Sequence, residues 1–168
     1  MTRIIAQVES LPESYPAVEG VTGAALETAW QRIEHYIAWR YSPRSVIWRL
    51  EAHKGEWLPP LAPIVSLLVQ EGEDMPYAPE TGPMGGWVLP YGTVTVTATV
   101  GAGPVPAAVT EAVSRYAKLI AFSKTIPVGA TRFSSGSFNA SMRREELNPA
   151  MAMVNSGAAD LLRGYRRV

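Results

Sequence analysis

Two histidines, His35 and His53, and an acidic run at Glu71, Glu73 and Asp74 are the side chains of this sequence best suited to chemistry. A metal centre or a base-activated nucleophile needs a histidine within reach of a second donor, so both histidines would have to converge with acids from elsewhere in the chain. His35 falls on the polar side of a predicted helix and His53 in a predicted turn, where an imidazole is ordinarily a surface group. The three carboxylates crowd one turn, which suits a hard cation but equally a solvated hairpin tip, the plainer assignment. With no cysteine in the chain, thiolate catalysis, zinc ribbons and disulfide frameworks are removed together. GxSxG, the GxxxxGKS/T phosphate loop and HExxH do not occur. The stretch GAGPVP, residues 101–106, is glycine-rich ahead of a helix, as a phosphate cradle would be, but Pro104 and Pro106 delete amides that would do the cradling. It reads as a joint. No catalytic residue, metal ligand or cofactor is expected.

The elements around these residues follow from hydrophobic period. Residues 1–20 hold Pro12 and Pro16 among polar side chains and are expected as an extended N-terminal arm. In residues 22–41, Leu26, Ala29, Trp30, Ile33, Tyr36, Ile37 and Tyr41 share one stripe of a helix, with Glu27, Gln31, Glu34 and His35 facing away, and Ser42-Pro43 stopping it. At roughly 100° per residue, Trp39 lies about 180° from Trp30, which would leave a large aromatic exposed on the polar side. Residues 45–52 alternate as a half-buried strand, a turn at HKGE follows, and residues 64–70 form a second strand, with Pro59, Pro60 and Pro63 confined to its approach. A loop or ragged hairpin tip leads into a strand that sets Thr93, Thr95, Thr97 and Thr99 on one face and Val94, Val96, Ala98 and Val100 on the other. A second helix to about Phe122 buries Val109, Ala112, Val113, Tyr116, Ala117 and Ile120 and pairs Glu111 with Arg115. Residues 123–157 show no sustained period and are expected as a long loop. Trp30, Trp39, Trp48 and Trp57 recur every nine residues, but the residues between them do not match, so this is no repeat.

At 168 residues, 47% apolar and 18% charged, the chain has the makings of one compact domain rather than a disordered tail or a membrane span. The N-terminal residues lack a signal-peptide core, so nothing directs export. Fifteen basic and fifteen acidic side chains cancel, which disfavours a protein that wraps nucleic acid. The balance is uneven: an acidic head with Glu9, Glu13 and Glu19 against Arg3, and a basic tail with Arg163, Arg166 and Arg167. The class expected is α+β, a small helical bundle packed on a short antiparallel sheet or hairpin, with extended N- and C-terminal arms: residues 1–20 as arm, 21–122 as core, and 123–168 as loop and C-terminal arm.

Several of these pieces, in this order, resemble the tailed-phage head-tail connector, or adaptor, family, also found in gene transfer agents. The resemblance rests on Leu26, Ala29, Ile33, Glu34, Tyr36 and Ile37 in the first helix, on residues 48–67 (WRLEAHKGEWLPPLAPIVSL) for a strand pair with its proline step, on Val96 to Phe122 for the strand-joint-helix passage, and on the closing LLRGYRRV. Gly164 stands where the family often has proline, and residues 123–157 match no part of its pattern.

The resemblance implies a non-catalytic virion protein made in the host cytoplasm. It would form a homo-oligomeric ring of about twelve copies in the neck between capsid and tail, portal protein above, stopper or tail protein below, with DNA passing through the channel unread. Trp39 and the threonine face of Thr93, Thr95, Thr97 and Thr99 would then meet a neighbouring subunit. Leu161, Leu162, Arg163, Tyr165, Arg166 and Arg167 would dock on the portal. A stopper or tail-completion protein is the alternative of the same class, and a small cytoplasmic ligand-binding domain or enzyme using His35, His53, Glu73 and Asp74 the alternative of another.

Overall fold

A computed structural model describes residues 2–125, 133–135, 138–140 and 149–167. In chain order the elements are β1 (Arg3–Glu9), α1 (Ala24–Ile37), β2 (Arg44–Ala52), β3 (Gly55–Trp57), β4 (Ile64–Glu71), β5 (Trp87–Leu89), β6 (Gly92–Val100), α2 (Ala107–Thr125), β7 (Phe133–Ser135), β8 (Phe138–Ala140), α3 (Pro149–Asn155), α4 (Ala158–Leu161) and a 3-10 turn (Arg163–Tyr165). The class is α+β, as the periodicity predicts. The expected single core is divided, however, into a sheet unit (Met1–Tyr15 and Ala38–Pro104) and a helical unit (Pro16–Ile37 and Val105–Val168). Each passage between them falls at a break in regular structure: Pro16, the left-handed Ala38 (φ 56°), and the GAGPVP joint.

In the sheet unit, four antiparallel strands run in the order β1-β2-β6-β4. Residues 44–52 and 92–100 pair over nine consecutive positions because both alternate cleanly, with Val46, Trp48, Leu50 and Ala52 on the buried face of the first beyond Arg44 and Val94, Val96, Ala98 and Val100 on that of the second. β6 therefore takes the central place, and β4 joins its far edge instead of returning beside β2 as the turn at HKGE suggests. Residues 3–9, expected as part of an arm, are hydrogen-bonded along β2 as an edge strand. One face of the sheet carries Val46, Trp48 and Leu50 of β2, Val94, Val96 and Val100 of β6, and Leu67 and Val69 of β4, all buried. Trp57, Leu61 and Leu89 complete this cluster, with the Trp57 ring edge-on to Trp48 at a centroid separation of 5.5 Å.

Two polar devices hold the periphery of this unit. Glu9 accepts from Arg40 Nε at 2.6 Å and Nη2 at 2.9 Å, a two-pronged pair, and from Arg44 Nη1 at 3.2 Å. Arg40 and Arg44 are 1% and 3% exposed and Glu9 14%, so the end of β1 is tied down by charges largely out of water. Glu56 of β3 accepts the backbone N–H groups of Met84 at 3.1 Å and Gly86 at 2.6 Å, which fastens the loop ahead of β5. Gly86 is required there, since a Cβ would fall 2.6 Å from the Trp57 carbonyl oxygen.

In the helical unit, α1 buries Ala29, Trp30, Ile33, Glu34 and Ile37. The predicted wet side included Glu34, but four residues from Trp30 place it about 40° round the helix, within the buried stripe. The helix also ends at Ile37, short of the expected Tyr41, because Ala38 turns left-handed. Arg40 N–H then donates to Ala62 O at 2.7 Å and Ala62 N–H to Ala38 O at 3.2 Å, within the sheet unit. α2 packs against α1, α3 and α4 through Val109, Ala112, Val113, Tyr116 and Ala117, while Ile120 is only half-buried. Its exposed side carries the expected pair, Arg115 Nε to Glu111 Oε1 at 2.7 Å. Within residues 123–157, expected as one loop, α2 runs on to Thr125, β7 pairs with β8, and α3 contributes buried Ala152 and Met153. No helix among the described residues is long and apolar enough to cross a membrane.

Candidate functional site

The threonine face of β6 lies on the outer side of the sheet. Thr93 and Thr97 are exposed and Thr95 and Thr99 half-buried. The register places residues of the neighbouring strands beside them, since directly opposed residues point to the same face. Val8 opposes Ile47, Ile47 opposes Thr97, and Thr97 opposes Leu68, giving one row across all four strands. Neighbouring strands sit ~4.8 Å apart, so the row spans about 14 Å. Val8, Ile47 and Leu68 are 65%, 42% and 44% exposed. On one side of the row come Ala6, Arg49, Thr95 and Gln70, then Arg3, Glu51 and Thr93; on the other come Ser45, Thr99 and Ser66. An apolar centre with a polar and charged rim has the anatomy of a protein interface.

Two bulges shape the margins of this face. In β4 the register slips between Ile64 and Ser66, which leaves Val65 unpaired in the ladder and 58% exposed and sends Leu68 outward. In β1 the slip between Ile4 and Ala6 does the same for Ile5, 54% exposed. Polar bonds fix β1 from the inner side, where Trp48 Nε1 donates to Gln7 Oε1 at 2.8 Å.

Trp39, expected on the polar side of a continuing helix, lies past the helix end. It is half-buried, with its ring 6.5 Å from that of Tyr41. Among the C-terminal candidates, Leu162 is fully buried, so its side chain anchors the segment instead of presenting a surface to a partner. Leu161 is half-buried, and Arg163, Tyr165, Arg166 and Arg167 are exposed. The tail is also tied to the end of α1: Arg167 N–H donates to Ile37 O at 3.2 Å, and the Arg166 guanidinium stacks 5.3 Å from the Tyr36 ring.

His35 belongs to the helical unit, while His53 belongs to the sheet unit, edge-on to Tyr91 at 5.9 Å. No group of three His, Asp or Glu among the described residues could hold a metal ion. Glu71 instead accepts from Tyr77 OH at 2.9 Å, and partial burial, then that hydrogen bond and the carboxylate charge, raise the Tyr77 phenol above its ordinary value.

A pocket of about 640 Å³ opens between α1, α2 and the helices after residue 149, walled by Tyr36, Tyr116, Met153 and Val154 with Arg32 and His35 beside them. Arg32 Nη1 donates to the Tyr116 hydroxyl at 3.2 Å. His35 Nδ1 lies 2.6 Å from the Gln31 carbonyl oxygen, which can only accept, so Nδ1 carries the proton and Nε2 is left for other partners. The spacing of Arg32, His35 and Tyr36 on one helix was visible in the sequence, but nothing there tied them to Met153. Compared with protein-family models, curated proteins and solved structures, the chain matches none.

Proposed function

We propose that the protein is a structural component of the neck of a tailed phage or gene transfer agent: an adaptor that forms a ring beneath the portal and offers the next surface to a stopper or tail protein. The observation that carries this reading is the outer sheet face, where Val8, Ile47, Thr97 and Leu68 form an exposed row inside a polar rim. Cross-strand pairing accounts for part of this row, but apolar side chains adjoining one another across all four strands also make a surface that a partner can cover. The order of helix, strand, joint and helix that resembles the adaptor family supports it from the sequence side. In a cyclic ring each contact is heterologous, so this face would meet a different surface of the next copy. Exposed Arg163, Arg166 and Arg167 suit an acidic portal surface. The near-neutral charge suits a channel wall past which DNA slides.

Light scattering on a sizing column tests this with the chain alone and after mixing with the portal ring encoded beside it. The expected result is a stoichiometric ring on the portal; a protein that ignores the portal would contradict it. A stopper of the same neck would bind only after another protein had already been added to the portal.

A further inference from the structure

We propose that the pocket of the helical unit is a ligand site for an amphipathic carboxylate, a small molecule with an apolar or aromatic body and one anionic head. The volume, about 640 Å³, lies within the range of roughly 300–1,000 Å³ that small-molecule sites occupy. Its walls supply the apolar part: the buried Tyr116 and Met153, the half-buried Tyr36, and Val154 at the rim, 61% exposed.

The polar part is of one sign. None of the lining residues is acidic. The Arg32 guanidinium makes its hydrogen bond to a neutral phenol, and the ion pairs among the described residues engage Arg40, Arg44 and Arg115, not Arg32. It keeps donors available in the fork geometry that suits a carboxylate. Arg166 stacks 5.3 Å from the Tyr36 ring and is not itself a lining residue. A neutral apolar ligand would leave the Arg32 guanidinium unused, and a cationic one would be repelled by it. This inference stands apart from the adaptor reading, because it uses only the helical unit.

The test is calorimetric titration of the full chain with dodecanoate, with dodecan-1-ol as the neutral match, each kept below its aggregation or solubility limit. The expected result is saturable one-to-one binding of dodecanoate, at least tenfold tighter than the alcohol. Arg32→Gln should lose about that tenfold. Val154→Trp, placed at the exposed rim, should block the body of the ligand while leaving the melting temperature near that of the parent. Absence of dodecanoate binding, equal affinity for the alcohol, or binding indifferent to both substitutions would each overturn the proposal.

Discussion

The two faces of the four-stranded sheet obey the same alternation and serve opposite ends. The inner face is dry, with Trp48, Val46, Val96 and Val100 fully buried. The outer face sets threonines on the central strand beside Ile47 and Leu68, apolar side chains left more than two-fifths exposed. Burial of the inner side chains stabilises the unit at about 25 cal/mol per Å² of apolar surface, whereas the outer ones contribute little until another surface covers them. On the proposed reading, stability and association fall on alternate residues of the same strands, and substitutions should separate them.

The largest loss should come from the inner face: Trp48→Ala removes the centre of the cluster and should cost about 3–5 kcal/mol, read from the urea midpoint. Close behind is Glu9→Ala, which leaves Arg40 and Arg44 buried without their carboxylate and should cost about 3 kcal/mol, the penalty of an uncompensated buried charge. Glu56→Ala orphans the Met84 and Gly86 amides; a loss of about 1–2 kcal/mol is expected, with faster hydrogen exchange confined to the loop before β5. Smallest for folding is Ile47→Lys on the outer face, within about 0.5 kcal/mol of the parent. That same substitution should abolish ring formation on the portal. If Ile47→Lys cost as much stability as Trp48→Ala, the two faces would not be separable and the outer row would belong to the core.

Strand β6, its threonine face, helix α2 and the joint before it were legible in the sequence because each is governed by a local period or by proline and glycine chemistry. What was hidden depended on distant partners. Nothing local links Glu9 to Arg40 and Arg44, so residues 1–20 read as an arm rather than an edge strand. The bulge at Val65 shifts the phase of β4, and the run IVSLLVQ is too uniformly apolar to reveal which side chains turn outward. Trp39 was misplaced because the left-handed turn at Ala38 is rare for a residue with a Cβ, and no glycine or proline marks it. Glu34 was assigned by its charge, although its angle put it with Trp30 and Ile37. The pocket needed Met153, from a segment without sustained period, to be brought up to α1 and α2.

The central claim, that the outer sheet face is covered when copies assemble, can be tested directly because the chain contains no cysteine. The thiol of Thr97→Cys would be the only one in this chain, and its rate of reaction with a maleimide, read from the mass of this chain, can be compared in the isolated protein and in the portal-bound assembly. Glu73→Cys, at an exposed position of a loop, serves as the reference. The account predicts at least tenfold slower labelling at position 97 in the assembly, with position 73 unchanged. Equal labelling of position 97 in the isolated and portal-bound states would contradict it.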